Sequence, residues 1–76
     1  MLLFPNPTNG GLSVYVNGPE VYGLALLDVS GAQVAIGAAF RERTTLDLTD
    51  LAPGVYFVEL RGQESGQRLV QRMVRW

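Results

Sequence analysis

Leu51-Ala52-Pro53-Gly54-Val55-Tyr56-Phe57-Val58-Glu59-Leu60 joins a tight corner to a run of alternating side chains. Side chains alternate between the two faces of a strand, so Tyr56, Val58 and Leu60 share one apolar face. The Pro-Gly pair stops any helix and reverses the chain just before this run. The stretch therefore predicts a β-strand from Val55 to Leu60, entered through a corner at residues 49–54.

The position of Tyr56 has two interpretations. A tyrosine just past a corner, near the start of a late strand, is typical of the tyrosine corner of immunoglobulin-like sandwiches. There the ring fills the core, and the hydroxyl bonds back to upstream backbone. An ordinary core tyrosine fits the same residues, and the sequence leaves both interpretations open.

The rest of the chain repeats the pattern of short alternating runs separated by Gly, Pro, Asn and Asp. Such spacing is typical of antiparallel sandwiches, and no run has the spacing of a long amphipathic helix. We therefore expect an all-β protein, an immunoglobulin-like antiparallel β-sandwich of about seven short strands, forming a single domain over residues 1–76. The predicted strands are Leu2–Phe4, Leu12–Val16, Val21–Asp28, Gln33–Gly37, Thr44–Leu48, Val55–Leu60 and Gln67–Arg75.

Several side chains have a predicted place in this sandwich. Apolar residues on both faces of Val21–Asp28 predict a central strand covered on both sides. Val34 and Ile36 are expected to point inward. Residues 37–43 are predicted to be irregular, with Phe40 closing the edge of the core.

Two turns are strongly marked. Phe4-Pro5-Asn6-Pro7-Thr8-Asn9-Gly10 places two prolines around one asparagine and follows them with a reversing Asn-Gly pair. Asp28-Val29-Ser30-Gly31 has the residue types of a type I turn, and its first carboxylate can accept hydrogen bonds from backbone N–H groups within the turn. Both elements are expected to shape the surface of the domain.

Composition argues against several function classes. The chain has no Cys and no His, which removes disulfides, thiolate chemistry and a histidine base. A net charge of -1 with no basic block predicts no nucleic-acid partner, and no apolar run is long enough for a membrane span. Asp47 is expected on a solvated strand face and Asp50 as a turn cap, rather than as a glycosidase pair. We expect no cofactor; a loop calcium site stays open, although no D-x-D-x-D spacing occurs.

Four elements follow one another in a fixed order: Phe4-Pro5-Asn6-Pro7 with Gly10, Asp28-x-x-Gly31-x-x-Val34, Leu51-x-x-Gly54-x-Tyr56, and a basic alternating tail from Arg68 to Trp76. Together they resemble the C-terminal sorting domain of type IX secretion substrates in Gram-negative bacteria, also called the Por secretion system sorting domain. The resemblance covers essentially the whole chain. It implies an immunoglobulin-like sandwich at the C-terminal end of an exported protein, and Met1 is expected to begin a piece cut from that protein.

The resemblance also implies a function without catalysis. An N-terminal cargo domain, covalently linked to this one, crosses the inner membrane and the periplasm. The sorting domain then directs it through an outer-membrane translocon to the cell surface or the extracellular space. In many such proteins a sortase-like peptidase removes the sorting domain.

The residues that match the family motifs have mainly structural expected roles: Pro5, Asn6, Pro7, Gly10, Asp28, Gly31, Val34, Leu51, Gly54 and Tyr56. Arg72 and Arg75 are the candidates for direct recognition, at positions where the family usually has lysine. Both are expected to be exposed, on a terminal strand with a free edge that a partner strand could join. The alternative is a spacer or carbohydrate-binding module of a secreted hydrolase, with sugars stacked on Tyr15, Tyr22 or Trp76.

Overall fold

A computed structural model describes residues 1–76 as seven β-strands joined by turns. The strands are β1 (Leu2–Phe4), β2 (Gly11–Tyr15), β3 (Tyr22–Leu27), β4 (Gln33–Phe40), β5 (Arg43–Asp47), β6 (Gly54–Gly62) and β7 (Arg68–Arg75). No helix of the kind that could cross a bilayer is present.

The strands form two antiparallel sheets that pack face to face. One sheet has three strands in the order β1-β2-β5, and the other has four in the order β4-β3-β6-β7. The predicted all-β sandwich of about seven strands is confirmed. The strand bounds differ most at β4, which continues through Phe40 because that residue pairs with Tyr22 of β3.

The core lies between the sheets and is built by side-chain alternation. Val14, Val58 and Met73 are fully buried, and each belongs to a strand whose neighbouring residues point outward. The complete buried apolar set is Leu3, Leu12, Val14, Val16, Tyr22, Leu24, Leu26, Phe40, Leu48, Tyr56, Val58, Leu60 and Met73.

The predicted double coverage of β3 is wrong, although β3 is central in its sheet. Leu24 and Leu26 face the core, whereas Ala25 and Leu27 are half-buried on the outer face. A domain of this size has only two layers, so no element remains to cover the outer face.

The predicted inward orientation of Val34 and Ile36 is also wrong. The register shifts after the Leu26–Ala35 pair, so Val34 is the extra residue of a bulge and is 40% exposed. Ile36 is 72% exposed, and Ala35 and Gly37 turn inward instead. A Cβ on Gly37 would lie 3.0 Å from Leu24 Cδ2 and 3.3 Å from Leu46 Cδ2, so these two leucines leave little room for a side chain at this position.

The structure decides between the two interpretations of Tyr56 and confirms the predicted Asp28 turn. The Tyr56 hydroxyl donates to the Ala52 carbonyl oxygen at 2.6 Å while its ring lies in the core, which is the tyrosine-corner arrangement. Asp28 Oδ1 accepts from the backbone N–H groups of Ser30 and Ala32 at 2.9 and 3.0 Å, and the Gly31 N–H closes the turn on the Asp28 carbonyl. Gly31 has φ 84°, a left-handed value that favours glycine.

Candidate functional site

The last strand, β7, lies at the edge of the four-stranded sheet and pairs only with β6. In an antiparallel ladder, residues of one strand alternate between bonding to a neighbour and facing away from it. The Gly62 N–H donates to the Gln67 carbonyl, so odd-numbered residues bond toward β6. Even-numbered residues, from Arg68 to Trp76, present their backbone groups to the open side.

Part of that open side is covered by residues 5–8, which we call the N-terminal strap. The Thr8 N–H donates to the Val74 carbonyl oxygen at 2.9 Å, and the Trp76 N–H donates to the Thr8 carbonyl oxygen at the same distance. Thr8 forms a parallel bridge with Arg75 and is 1% exposed. The strap therefore acts as a short extra strand along the end of β7.

Asn6 extends this cover through its side chain. Its Nδ2 donates to the Arg72 carbonyl oxygen at 3.1 Å, and its Oδ1 accepts from the Val74 N–H at 3.0 Å. The amide thereby supplies the donor and the acceptor of a missing peptide group. The prolines on either side have no N–H to donate, so the asparagine side chain makes both of these bonds.

The strap is fixed to the rest of the domain at Gly10. The Gly10 N–H donates to Thr8 Oγ1 at 3.0 Å, and its carbonyl accepts from the Leu48 N–H at 2.7 Å. A Cβ at Gly10 would lie 2.8 Å from Thr49 Cγ2, at a φ of 154°. A larger residue would therefore push the strap away from the three-stranded sheet.

The expected free edge of β7 is only half right. The strap occupies the backbone groups from the Arg72 carbonyl to the Trp76 N–H. Arg68, Val70 and the N–H of Arg72 keep their outward groups open. We call residues 68–72 the open half of β7, and residues 73–76 the covered half.

The two candidate arginines have different surroundings. The Arg72 side chain is exposed and makes no hydrogen bond or ion pair within the domain. Arg75 is half-buried on the same face as Met73. Its Nε donates to the Leu48 carbonyl at 3.1 Å, Nη1 donates to the Trp76 carbonyl, and Nη2 lies 3.5 Å from the Thr49 carbonyl oxygen. The expected exposure is confirmed for Arg72 and wrong for Arg75.

The register of β6 and β7 places two more arginines, Arg61 and Arg68, on the same outer face as Arg72. Arg61 stands across from Arg68, and Phe57 stands across from Arg72 on the outer face. The one ion pair joins Arg68 Nε to Glu59 Oε2 at 2.6 Å. We call this surface the basic outer face; its members are Phe57, Glu59, Arg61, Arg68, Val70 and Arg72.

Arg61 was absent from the sequence-predicted site. The signal that could have placed it is the length of the loop after β6, which fixes the register and sets Arg61 opposite Arg68. An excess of arginine on a face with exposed apolar area suits a partner that carries carboxylates.

Three carboxylates have lowered pKa values, and each accepts hydrogen bonds from residues of a turn or loop. The side-chain and backbone bonds from Thr49 lower the pKa of Asp47, and bonds from Ser30 and Ala32 lower that of Asp28. Bonds from the backbone N–H and hydroxyl of Ser65 lower the pKa of Glu20. Asp47, rather than Asp50 as expected, therefore caps the turn after β5.

The aromatic residues proposed for sugar stacking do not share a surface. Tyr22 is 3% exposed in the core, Tyr15 lies on the three-stranded sheet, and Trp76 follows β7 in the other sheet. No group of three or more acidic side chains comes together as a candidate metal site. The alternative of a carbohydrate-binding module gains no geometric support.

A family model described as the secretion system C-terminal sorting domain matches residues 2–74. The match spans all the strands, from β1 to all but the last residue of β7. A comparison with curated proteins gives no match.

Proposed function

Because this chain belongs to the family of secretion system C-terminal sorting domains, we propose that the type IX machinery recognises the basic outer face and the open half of β7. The domain directs the secretion of the cargo attached to it, and domains of this family are not themselves catalytic. Secretion by this route crosses the outer membrane.

We further propose how the domain acts during export. The 76 residues are the C-terminal domain of a longer exported protein, covalently joined to cargo on their N-terminal side. The outer-membrane translocon binds the folded sandwich, and a sortase-like peptidase then cuts upstream of it. The cargo ends at the cell surface or in the extracellular space.

The observation that supports this assignment is the free guanidinium of Arg72. Arg75 is bound to backbone carbonyls, and Arg68 is paired with Glu59. Arg72 is the cation of β7 that stays unpaired, and it adjoins backbone groups that a partner strand could bond. Motif residues such as Asp28, Gly10 and Tyr56 act indirectly, by fixing the turns that hold this surface.

The test fuses residues 1–76 behind a periplasmic reporter in a host that has the type IX machinery. Arg72→Glu should lower export about tenfold, the effect of losing one good charge-assisted contact. Arg43→Glu is the matched control, because Arg43 is exposed on the three-stranded sheet and also makes no ion pair. Equal export of both variants, with both folded, would contradict the assignment of this surface.

A further inference from the structure

The chain has three asparagines, and the residue that follows each of them decides its chemistry. Asn6 precedes Pro7, whereas Asn9 and Asn17 each precede a glycine. The side-chain amide of an asparagine is open to attack by the backbone nitrogen of the next residue, provided that this nitrogen has a proton to lose. Proline has no N–H, so the reaction is closed to Asn6. Glycine has no side chain to hinder the approach, so both Asn-Gly pairs have the residue types that the reaction needs.

The first Asn-Gly pair is protected by the fold. Gly10 is buried, its N–H donates to Thr8 Oγ1 at 3.0 Å, and its carbonyl accepts from the Leu48 N–H at 2.7 Å. The Gly10 nitrogen must leave Thr8 and turn toward the Asn9 side chain before it can react. That movement opens the strap locally, and a local opening costs free energy. Asn9 is therefore protected, although its own side chain is exposed.

The second Asn-Gly pair lies in the irregular connection between β2 and β3. Asn17 and Gly18 are both exposed, and neither the Asn17 side chain nor the Gly18 N–H makes a hydrogen bond within the domain. The chain is held on either side of the pair, since the Val16 N–H and the Pro19 carbonyl are both bonded. The Gly18 nitrogen can therefore approach the Asn17 amide without breaking a hydrogen bond of the domain.

We propose that Asn17 is a site of spontaneous deamidation in the folded domain, and that the fold keeps Asn9 intact. A base removes the Gly18 amide proton, and the nitrogen lone pair forms a bond to Asn17 Cγ. The bond from Cγ to the side-chain nitrogen breaks, and that nitrogen takes up a proton and leaves as ammonia. Water then opens the cyclic imide at one of its two carbonyl carbons, which gives aspartate or isoaspartate. The net reaction consumes one water and releases one ammonia, with no oxidation or reduction.

The product changes the charge of a concave surface at the end of β2. Asn17 lines this concavity together with Glu42 and Arg43, and Arg43 makes no ion pair within the domain. A carboxylate at residue 17 adds one negative charge to a chain whose formal net charge is -1, and it gives Arg43 a further acidic neighbour. The isoaspartate form also carries the backbone through the side-chain methylene group, which lengthens the connection between β2 and β3. The inference does not use Arg72, so it stands independently of the function proposed above.

The test incubates the folded chain at mildly alkaline pH and follows the acidic product by ion-exchange chromatography. Arg41 is the first site of trypsin cleavage, so all three asparagines lie in one peptide, and its fragmentation in a mass spectrometer gives the rate at each. Asn17 should react about tenfold faster than Asn9 or more, because a local opening that costs about 1.4 kcal/mol lowers the reactive population tenfold. In concentrated urea, which removes the protection of the fold, the two rates should become similar.

Two matched variants isolate the site. Asn17→Gln should abolish the main acidic product, because a glutamine would have to form a larger ring, and Asn9→Gln should leave that product unchanged. Both asparagine side chains are exposed and make no hydrogen bond, so the two changes are equivalent for the fold.

A third variant tests the cause of the protection. Thr8→Val removes the oxygen that accepts from the Gly10 N–H and should raise the rate at Asn9 severalfold, while the rate at Asn17 stays the same. If Thr8→Val does not fold, the comparison of the two glutamine variants decides alone.

Three results would overturn the proposal. They are equal rates at Asn9 and Asn17 in the folded chain, a faster reaction at Asn9, or an Asn17 that stays intact for as long as the urea-unfolded chain takes to react. An unchanged rate at Asn9 in a folded Thr8→Val variant would overturn the protective role of the Gly10 hydrogen bond.

Discussion

The covered and the open halves of β7 belong to one strand but have different roles. Residues 73–76 hold the domain together: Met73 is fully buried, Arg75 bonds the corner carbonyls, and Val74 and Trp76 bond the strap. Residues 68–72 leave backbone groups and the Arg72 guanidinium free. The difference shows that alternation along a strand can separate structural positions from binding positions within a few residues.

The largest expected contrast is in the core. Met73→Ala removes a fully buried side chain and should lower the free energy of unfolding by about 2–5 kcal/mol. Val70→Ala removes a side chain that is 43% exposed and should cost below about 0.5 kcal/mol. Urea denaturation of both variants measures the difference. Similar costs would remove the distinction between the two halves.

The strap provides the next contrast. Asn6→Leu removes both bonds to β7 and should destabilise the domain by about 1–3 kcal/mol, because each bond contributes roughly 0.5–1.5 kcal/mol. Hydrogen exchange of the Val74 amide should accelerate in this variant. Asn9→Leu is the control, since Asn9 is exposed and makes no side-chain bond. An unchanged Val74 exchange rate would show that the amide bonds do not hold the edge.

Arg72 and Arg75 should contribute differently to the stability of the domain. Arg75→Gln should lower stability by about 1 kcal/mol, because the carbonyls of Leu48 and Thr49 lose a charged donor. Arg72→Gln should leave the melting temperature nearly unchanged, since the Arg72 side chain makes no hydrogen bond or ion pair that would be lost. Thermal unfolding followed by circular dichroism tests both. A melting temperature that falls equally in both variants would show that Arg72 is also structural.

Lowering the pH should produce the smallest change in stability. The change should be confined to the loop that precedes β7, where Ser65 bonds Glu20. Bonds from Ser65 and Glu64 hold the pKa of Glu20 below its ordinary value, so folding favours the ionised carboxylate. This stabilisation is present above the unfolded-state pKa and is lost as pH falls through the lower folded-state pKa.

Protection of the Ser65 amide should therefore fall in acid before that of Val74, whose partner Asn6 does not titrate. Amide exchange followed by NMR, corrected for the intrinsic pH dependence, gives the comparison. Glu20→Gln should abolish the pH dependence at Ser65. Simultaneous loss of protection at both amides would mean that acid unfolds the domain as a whole.

Local structure could be predicted from the sequence where the residues that form it are close together in the chain. The Asp28 turn needs its carboxylate and Gly31 within one turn, and the Tyr56 corner needs a hydroxyl four residues from its carbonyl. The Asp28 turn was predicted, and the tyrosine corner was one of the two interpretations that the sequence left open. The orientations of Val34 and Ile36 were predicted wrongly because the extra residue at Val34 shifts the register, and nothing near it in sequence marks the bulge. A second shift between Gly37 and Phe40 returns Phe40 to the core, as predicted.

The candidate site likewise has properties that the sequence predicted and properties that it could not predict. Arg72 and Arg75 look equivalent in an alternating basic tail, and sequence reasoning gave both the same role. Their roles differ because the odd-numbered residues of β7 face the core and the even-numbered residues face outward. Arg75 also bonds the carbonyls of Leu48 and Thr49, which are distant in sequence. Arg61 belongs to the candidate site only because the register of β6 and β7 places it opposite Arg68.

The sequence by itself determined the all-β class, the turns, the corner and the family, because alternation and turn chemistry are local properties and the motifs keep a fixed order. The tertiary structure alone decided that Asn6 covers the end of β7, that Arg75 is structural while Arg72 is free, and that Ile36 of β4 faces outward. Each of these depends on hydrogen bonds and registers between residues far apart in the chain, and a two-residue period carries no information about which strand becomes the neighbour.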